Sequence, residues 1–333
     1  VGGAAARVGT AQQRGAAAVT LTIGVDVGGT KVAGGVVDAT GAVLAETRRE
    51  TPAADVTGTR DVIIEVVNEL AAGRTVEAVG IGAAGWIDAD RSTVLFAPNL
   101  AWRDEPLRDY VSAAVDLPVI VENDANVAAW AEFRYGAAAA ADDSMVMFTI
   151  GTGVGGGIVL GGRLLRGAHG IAAELGHMLA VPDGHRCGCG RLGCIEQYAS
   201  GSALVRFARA GARQQPGRAA RLLDLAGGDP EAVTGQMVTA AARAGDPVSV
   251  EAFAHLGRWL GTAMADLAQI LDPQVLVVGG GVVDAGELLL GPTDRSYLEA
   301  LAQRGRLPVA PIRPAEMGNT AGVIGAADLA RLR

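Results

Sequence analysis

Lysine is almost missing from this chain of 333 residues: Lys31 is the only one among 28 basic side chains. Arginine-favouring codon usage accounts for the scarcity, yet the one lysine kept lies in a glycine-rich loop. A basic excess is missing too. Lys and Arg number 28 against 36 Asp and Glu, a net charge of −8. With no basic arm or stripe, the charge balance disfavours a nucleic-acid binder working by phosphate neutralisation. There is no uninterrupted apolar run of about 18 residues, so no membrane-spanning helix is expected. Cysteine is scarce and clustered, with Cys187, Cys189 and Cys194 as the full set. An odd, tight group argues against a secreted disulfide framework and for a metal site in a reducing, cytoplasmic compartment. Residues 1–19 lack the compact apolar core of a signal peptide and read as a disordered leader, or as an upstream start.

Half of the residues are hydrophobic and 19% are charged, which excludes disorder for the whole chain. The length suits about two domains of ~150 residues. Thr20–Val27 alternates and is β-branched, predicting a strand. Gly28-Gly29-Thr30 turns the chain, Val32–Val37 returns, and Ala42–Thr47 follows. A helix is expected over Val56–Ala72, then a strand Val76–Ala83 and a short buried strand Pro118–Val121 leading to a helix Asn126–Tyr135. The pattern then restarts. Met145–Ile150 is a strand, Gly151-Thr152-Gly153 a turn, Gly157–Leu160 a return, and Arg163–Leu165 a third strand. Val248–Leu271 reads as a long helix, Gln274–Val278 as a buried strand and Ala321–Leu332 as a closing helix. Gln214–Gly235 reads as a loop around a short helix. A strand–glycine turn–strand unit thus occurs twice, so a duplicated α/β protein with a cleft between its halves is expected.

The turns carry the chemistry. In Asp26-Val27-Gly28-Gly29-Thr30-Lys31, the glycines let backbone N–H groups approach phosphate oxygens, Thr30 adds a hydroxyl and Lys31 a charge. Asp26 suits Mg²⁺. A plain hairpin turn is the alternative. Gly151-Thr152-Gly153-Val154-Gly155-Gly156 fits G-x-G-x-x-G, but a strand follows it, so the dinucleotide fingerprint is rejected. A second phosphate hairpin remains, with Thr152 and Gly153 as donors. Gly279-Gly280-Gly281 offers bare backbone for the nucleoside end of a ligand, or simply a tight turn.

Asp-x-Gly-Gly-Thr-Lys, Glu-Asn-Asp-Ala-Asn (122–126), Gly-Thr-Gly-x-Gly-Gly-Gly (151–157) and Cys-x-Cys-Gly-x-x-Gly-Cys-x-Glu (187–196) occur in that order. The set resembles the ROK family of bacterial sugar kinases, nearest to its actinobacterial glucokinases, from about Thr20 to the C-terminus. The resemblance implies an α/β, two-lobed actin-like/hexokinase-type fold of duplicated ribonuclease-H-like units. We expect residues 20–122 with about 318–333 in a small domain, and 123–317 in a large one. The resemblance also implies that Asp124 is the general base for phosphoryl transfer from ATP to the 6-hydroxyl of glucose. It nominates Gly85, Asn99, Asn123, Asp124, Glu174, His177 and Glu196 for sugar contact. A homodimer or homotetramer is the usual assembly of such proteins. Taken singly, an acid at 122–124 could be a helix cap, and Glu174 a solvated acid in a helix around Ala172–Leu175.

His177, Cys187, Cys189 and Cys194 form a Cys₃His set, the donor count of a closed structural zinc site. Three free thiols, or a disulfide with one orphan, are the other readings. Fixing His177 and Cys194 would fix Glu174 and Glu196, which lie three and two residues away. Other acceptors (another hexose or an N-acetyl-hexosamine), polyphosphate as donor, and a sugar-sensing regulator are the competing functions. The regulator is disfavoured because only about nineteen residues precede the first strand, without a helix-turn-helix pattern.

Overall fold

The computed structural model describes residues 20–302 and 308–332. The leader expected over residues 1–19 lies outside them. Three strands open the fold: β1 (Leu21–Val27), β2 (Lys31–Val37) and β3 (Val43–Glu50). Helix α1 (Val56–Ala71) starts where the Asp55 carboxylate accepts the Gly58 N–H, a side-chain cap on an otherwise orphaned donor. Next come β4 (Val76–Ala83), β5 (Trp86–Ile87), β6 (Val94–Phe96), β7 (Arg103–Glu105), α2 (Leu107–Val115), β8 (Val119–Asn123) and α3 (Asp124–Tyr135). The second half runs β9 (Met145–Ile150), β10 (Val154–Leu160), β11 (Arg163–Leu164), α4 (Glu196–Ala199), α5 (Gly201–Gln214), α6 (Ala220–Leu225), α7 (Gly235–Arg243) and α8 (Pro247–Leu271). It closes with β12 (Val275–Gly279), α9 (Glu287–Leu301), β13 (Ile312–Pro314) and α10 (Ala321–Arg331).

The duplication is visible in the strand orders, β3-β2-β1-β4-β8 and β11-β10-β9-β12-β13. In each sheet an antiparallel three-strand meander is followed by two parallel strands. This is the two-lobed α/β fold expected from the repeated hairpin. The helices α4, α5, α7 and α9 were not anticipated. Neither was the small β5-β6-β7 sheet, whose strands of two or three residues are too short to show alternation.

Helices α3 and α10 fill the space between the sheets. One apolar cluster joins Val127, Trp130 and Phe133 of α3 with Ala326 and Leu329 of α10, Ala78 of the first sheet, and Met145, Met147 and Val277 of the second. Helix α10 lies at backbone distance from the first sheet. A Cβ at Gly80 would stand 1.8 Å from the Ala326 carbonyl oxygen, so only glycine fits there. Asp328, 2% exposed, pins the pair of helices. It accepts from Trp130 Nε1 (2.8 Å), Tyr135 OH (2.6 Å) and Arg331 (3.0 Å). Arg331 in turn donates to Thr22 Oγ1 (2.7 Å) and the Val37 carbonyl (3.0 Å) of the first sheet.

Truncating one member of a buried charged network strands the others, at a cost of roughly 3–5 kcal/mol. Asp328→Ala should therefore lower the urea midpoint and Tm markedly. Leu44→Ala, at a position 55% exposed, should change stability little. Equal midpoints for the two variants would contradict this account of the helix pair.

Candidate active site

Strand β8 runs straight into α3, and the junction carries Glu122-Asn123-Asp124. The helix cap is Asn123 rather than an acid: its Oδ1 accepts the Asn126 N–H at 3.0 Å. Its Nδ2 donates to the Gly85 carbonyl at 3.0 Å and to Asp124 Oδ1 at 3.1 Å. Gly85 follows β4 with φ 151°, and a Cβ there would lie 2.4 Å from the Phe96 carbonyl oxygen. Glycine is thus required to hang the small sheet close over the junction.

Asp124 stands between two cavities. The first, about 320 Å³, is lined by all seven residues nominated for sugar contact: Gly85, Asn99, Asn123, Asp124, Glu174, His177 and Glu196. The second, about 540 Å³, is lined by Asp26, Lys31 and Asp124 among others. A third, about 920 Å³, is reached by Thr152 and Gly281 beside α5 and α7. Gly153 borders the first cavity, Gly280 the first and second, and Gly281 the second and third. Gly279 is buried beneath them, where a Cβ would meet Met147 at 2.6 Å. Gly28, Gly29 and Thr30 line none of these spaces. The Gly28 N–H closes the hairpin on the Lys31 carbonyl at 3.0 Å, and Gly29 packs against Asn99. In this arrangement the first hairpin presents Asp26 and Lys31 rather than its glycine amides.

The expected helix through Ala172–Leu175 does not form. Ala173 takes φ 66°, an uncommon conformation for alanine, and only a single 3₁₀ turn, Leu175–His177, follows. The three-residue spacing still brings the two side chains together, with His177 Nε2 3.9 Å from Glu174 Oε2. On its other side, His177 Nδ1 lies 3.7 Å from Cys187 Sγ. The ligand atoms of His177, Cys187, Cys189 and Cys194 all fall within 4.8 Å of one another. The three cysteines are free, with Cys189 and Cys194 sulfurs 3.7 Å apart, so the disulfide alternative fails. Burial pushes the Cys187 thiol up to about 12. Glu196 bridges this cluster to the second hairpin: Oε2 accepts the Val154 N–H at 3.1 Å and Oε1 receives Cys187 Sγ at 3.5 Å.

Burial pushes Asp124 up to about 6, and the nearby Asp26 carboxylate adds to the shift. Asp26 is itself raised by burial, with Lys31 acting against it. Glu174 is pushed up to about 7, chiefly by burial and then by Asp124; the Trp86 indole opposes the shift. Carboxylates crowded in one space and held from water keep protons longer.

Several supporting residues were not among the nominated site positions. Glu122 is buried, and its oxygens take Arg91 Nε (3.1 Å), the Asn123 N–H (3.0 Å) and Asn126 Nδ2 (3.0 Å). Arg166 reaches the same carboxylate at 2.7 Å as an ion pair without hydrogen-bond alignment. Asn126 therefore braces the junction instead of facing the cavity. At the far end of α3, the fully buried Glu132 accepts the N–H groups of Ala137 (2.8 Å), Glu316 (2.9 Å) and Met317 (2.7 Å). Glu132 and Glu316 both border the second cavity. Trp86 lines the first cavity and was not anticipated, although it directly follows Gly85.

A family model described as "ROK family" matches residues 22–333. A glucokinase of Streptomyces coelicolor is 50% identical over 311 residues, 93% of this chain and 98% of that one. The chain belongs to the ROK family. Among solved structures, a ROK glucokinase from Streptomyces griseus in complex with glucose and AMPPNP matches with TM-score 0.83 and 51% identity, covering 94% of this chain and 100% of that one. A ROK hexokinase from Thermus thermophilus matches with TM-score 0.80 and 36% identity, covering 94% and 98%.

The electrostatics of this ROK cleft are open to a direct measurement. Replacing Asp26 with Asn removes a like charge, so Asp124 should titrate below about 6, detectable by carboxyl NMR shifts. The sign for stability follows from linkage. Because the folded value lies above the ordinary 3.8, the stabilising contribution of Asp124 is complete below pH ~4 and is lost as pH rises through about 6. An unchanged Asp124 midpoint in Asp26→Asn would separate the two carboxylates electrostatically.

Proposed function

We propose that the chain is a glucokinase that transfers the γ-phosphoryl group of ATP to the 6-hydroxyl of glucose. The observation that carries this reading is the place of Asp124, the ionisable residue common to the first and second cavities. Kinship with glucokinases at 50% and 51% identity supports the choice of acceptor and donor.

In this reading the sugar occupies the first cavity. Its hydroxyls pair with Asn99, Asn123, Glu174, His177 and Glu196, since each buried hydroxyl needs a partner. The nucleotide tail runs past Thr152, Gly153, Gly280 and Gly281 toward Asp26 and Lys31, and the nucleoside takes the third cavity. Mg²⁺ enters with ATP; Asp26 offers the hard oxygen it prefers. Asp124 accepts the 6-hydroxyl proton as that oxygen bonds to the γ-phosphorus and the bond to the β-phosphate oxygen breaks, releasing ADP. A base near 6 is largely ionised at neutral pH and still able to hold a proton.

The Cys₃His set fits zinc by donor type and clustering. When bound, the ion supplies structural cross-linking, holding His177 and the turn before Glu196 against the sugar. No helix among the described residues is long and apolar enough to cross a membrane. The homo-oligomeric assembly implied by the family resemblance and the cytoplasmic location read from the clustered cysteines belong to the same proposal.

A coupled assay with a hexose panel against ATP and polyphosphate tests the reaction; glucose with ATP should give the highest kcat/KM. Asp124→Ala should fold and bind glucose while kcat falls roughly 10²–10⁴-fold. In the parent enzyme kcat/KM should rise with pH through about 6, as Asp124 loses its proton. A near-normal kcat in Asp124→Ala would reject the base assignment. For the metal, elemental analysis should find one zinc per chain, and its removal should lower Tm and raise the glucose KM together. Full activity in zinc-free protein would break that link.

A further inference from the structure

We propose that Trp86 is a further acceptor-binding residue whose indole face forms the platform for the C–H face of the hexose ring. This inference rests on the glucokinase reading and deepens it.

A hexose has a polar edge and an apolar face. The polar edge is provided for by the carboxylates, amides and imidazole of the first cavity. The apolar face has few partners there, because the remaining lining is mostly glycine and alanine, with Pro98 and Val154. Trp86 is the only large aromatic ring among those lining residues. It also lines the adjoining space of about 490 Å³, together with Phe96, Asn99 and Glu196, so it stands at the mouth of the sugar cavity.

The ring is braced before any sugar arrives. Trp86 pairs with Phe96 across β5 and β6, with ring centroids 5.5 Å apart and planes inclined by 40°. Phe96 pairs in turn with Arg103 of β7, whose guanidinium lies 4.1 Å from the Phe96 ring centroid. Arg103 is anchored by the carbonyls of Ala97 (2.8 Å) and Leu100 (3.2 Å). The small sheet therefore sets two tilted rings and a guanidinium in a row, which keeps the cost of immobilising Trp86 low on binding. Trp86 is 36% exposed, whereas Trp102 is 0% and Trp130 4% exposed. An apolar ring left in water at a cavity mouth gains area burial when a ligand covers it.

The experiment is calorimetric titration of glucose into the full-length wild-type chain, Trp86→Phe and Trp86→Ala, with tryptophan emission followed in parallel. Trp86→Ala should weaken glucose binding about tenfold, and Trp86→Phe less than threefold because a ring remains. In both variants kcat at saturating glucose should stay within threefold of wild type, as expected for a residue that grips substrate without handling the transferred group. Glucose should shift the wild-type emission, and Trp86→Phe should lose that shift. A loss of binding under threefold in Trp86→Ala overturns the proposal, and so does an emission shift that persists undiminished in Trp86→Phe. If Trp86→Ala does not fold, Trp86→Leu replaces it, keeping bulk without the ring face and judged by the same threefold limit. A wild-type chain that binds no glucose defeats the glucokinase reading itself and this proposal with it.

Discussion

The stacking of α3 on α10 sets the separation of the two sheets, and the cleft geometry follows from it. Helix α10 touches the first sheet at backbone distance, and α3 shares an apolar cluster with α10 and the second sheet. Asp328 ties the two helices by buried hydrogen bonds, and Arg331 extends the tie to Thr22 and Val37. Asp124 is the first residue of α3, so its position is inherited from that packing. Glu132, two turns further on, grips the backbone of Glu316 and Met317 from the same helix. One helix thereby positions Asp124 and part of the wall of the second cavity.

Burying like charges is unfavourable, and this cleft gathers several. Asp26, Asp124 and Glu174 are all raised from their ordinary values, mainly by loss of water. Glu122, two residues before Asp124, shows the opposite solution, with two guanidiniums around one buried carboxylate. The contrast separates scaffold from chemistry. A carboxylate that only braces the chain is fully paired. Asp124, to which the proposed reaction gives a proton, has a cavity on either side.

Much of this was legible in the residues. The two hairpins announced themselves as β-branched runs interrupted by Gly-Gly-Thr and Gly-Thr-Gly, and Val76–Ala83 and Met145–Ile150 appear with the expected bounds. The seven positions nominated for sugar contact came from family resemblance, because no local pattern distinguishes Asn99 from an ordinary turn residue. The helix expected at Ala172–Leu175 failed since apolar composition does not reveal a left-handed Ala173. Strands of two or three residues around Trp86 carry no period, so both the small sheet and its exposed ring escaped notice. The partners of Glu122 were invisible for another reason: Arg91 and Arg166 are remote in sequence, and charge pairing across that separation is decided by topology.

Lys31 has a consequence of a different kind. It is the sole side-chain amine in the sequence, and it borders the cavity shared by Asp26 and Asp124. Amine-directed reagents, which scatter over the surface of an ordinary protein, have a single side-chain target here. Occupancy of the cleft can therefore be read as protection of one residue by peptide mass mapping, without mutations or turnover.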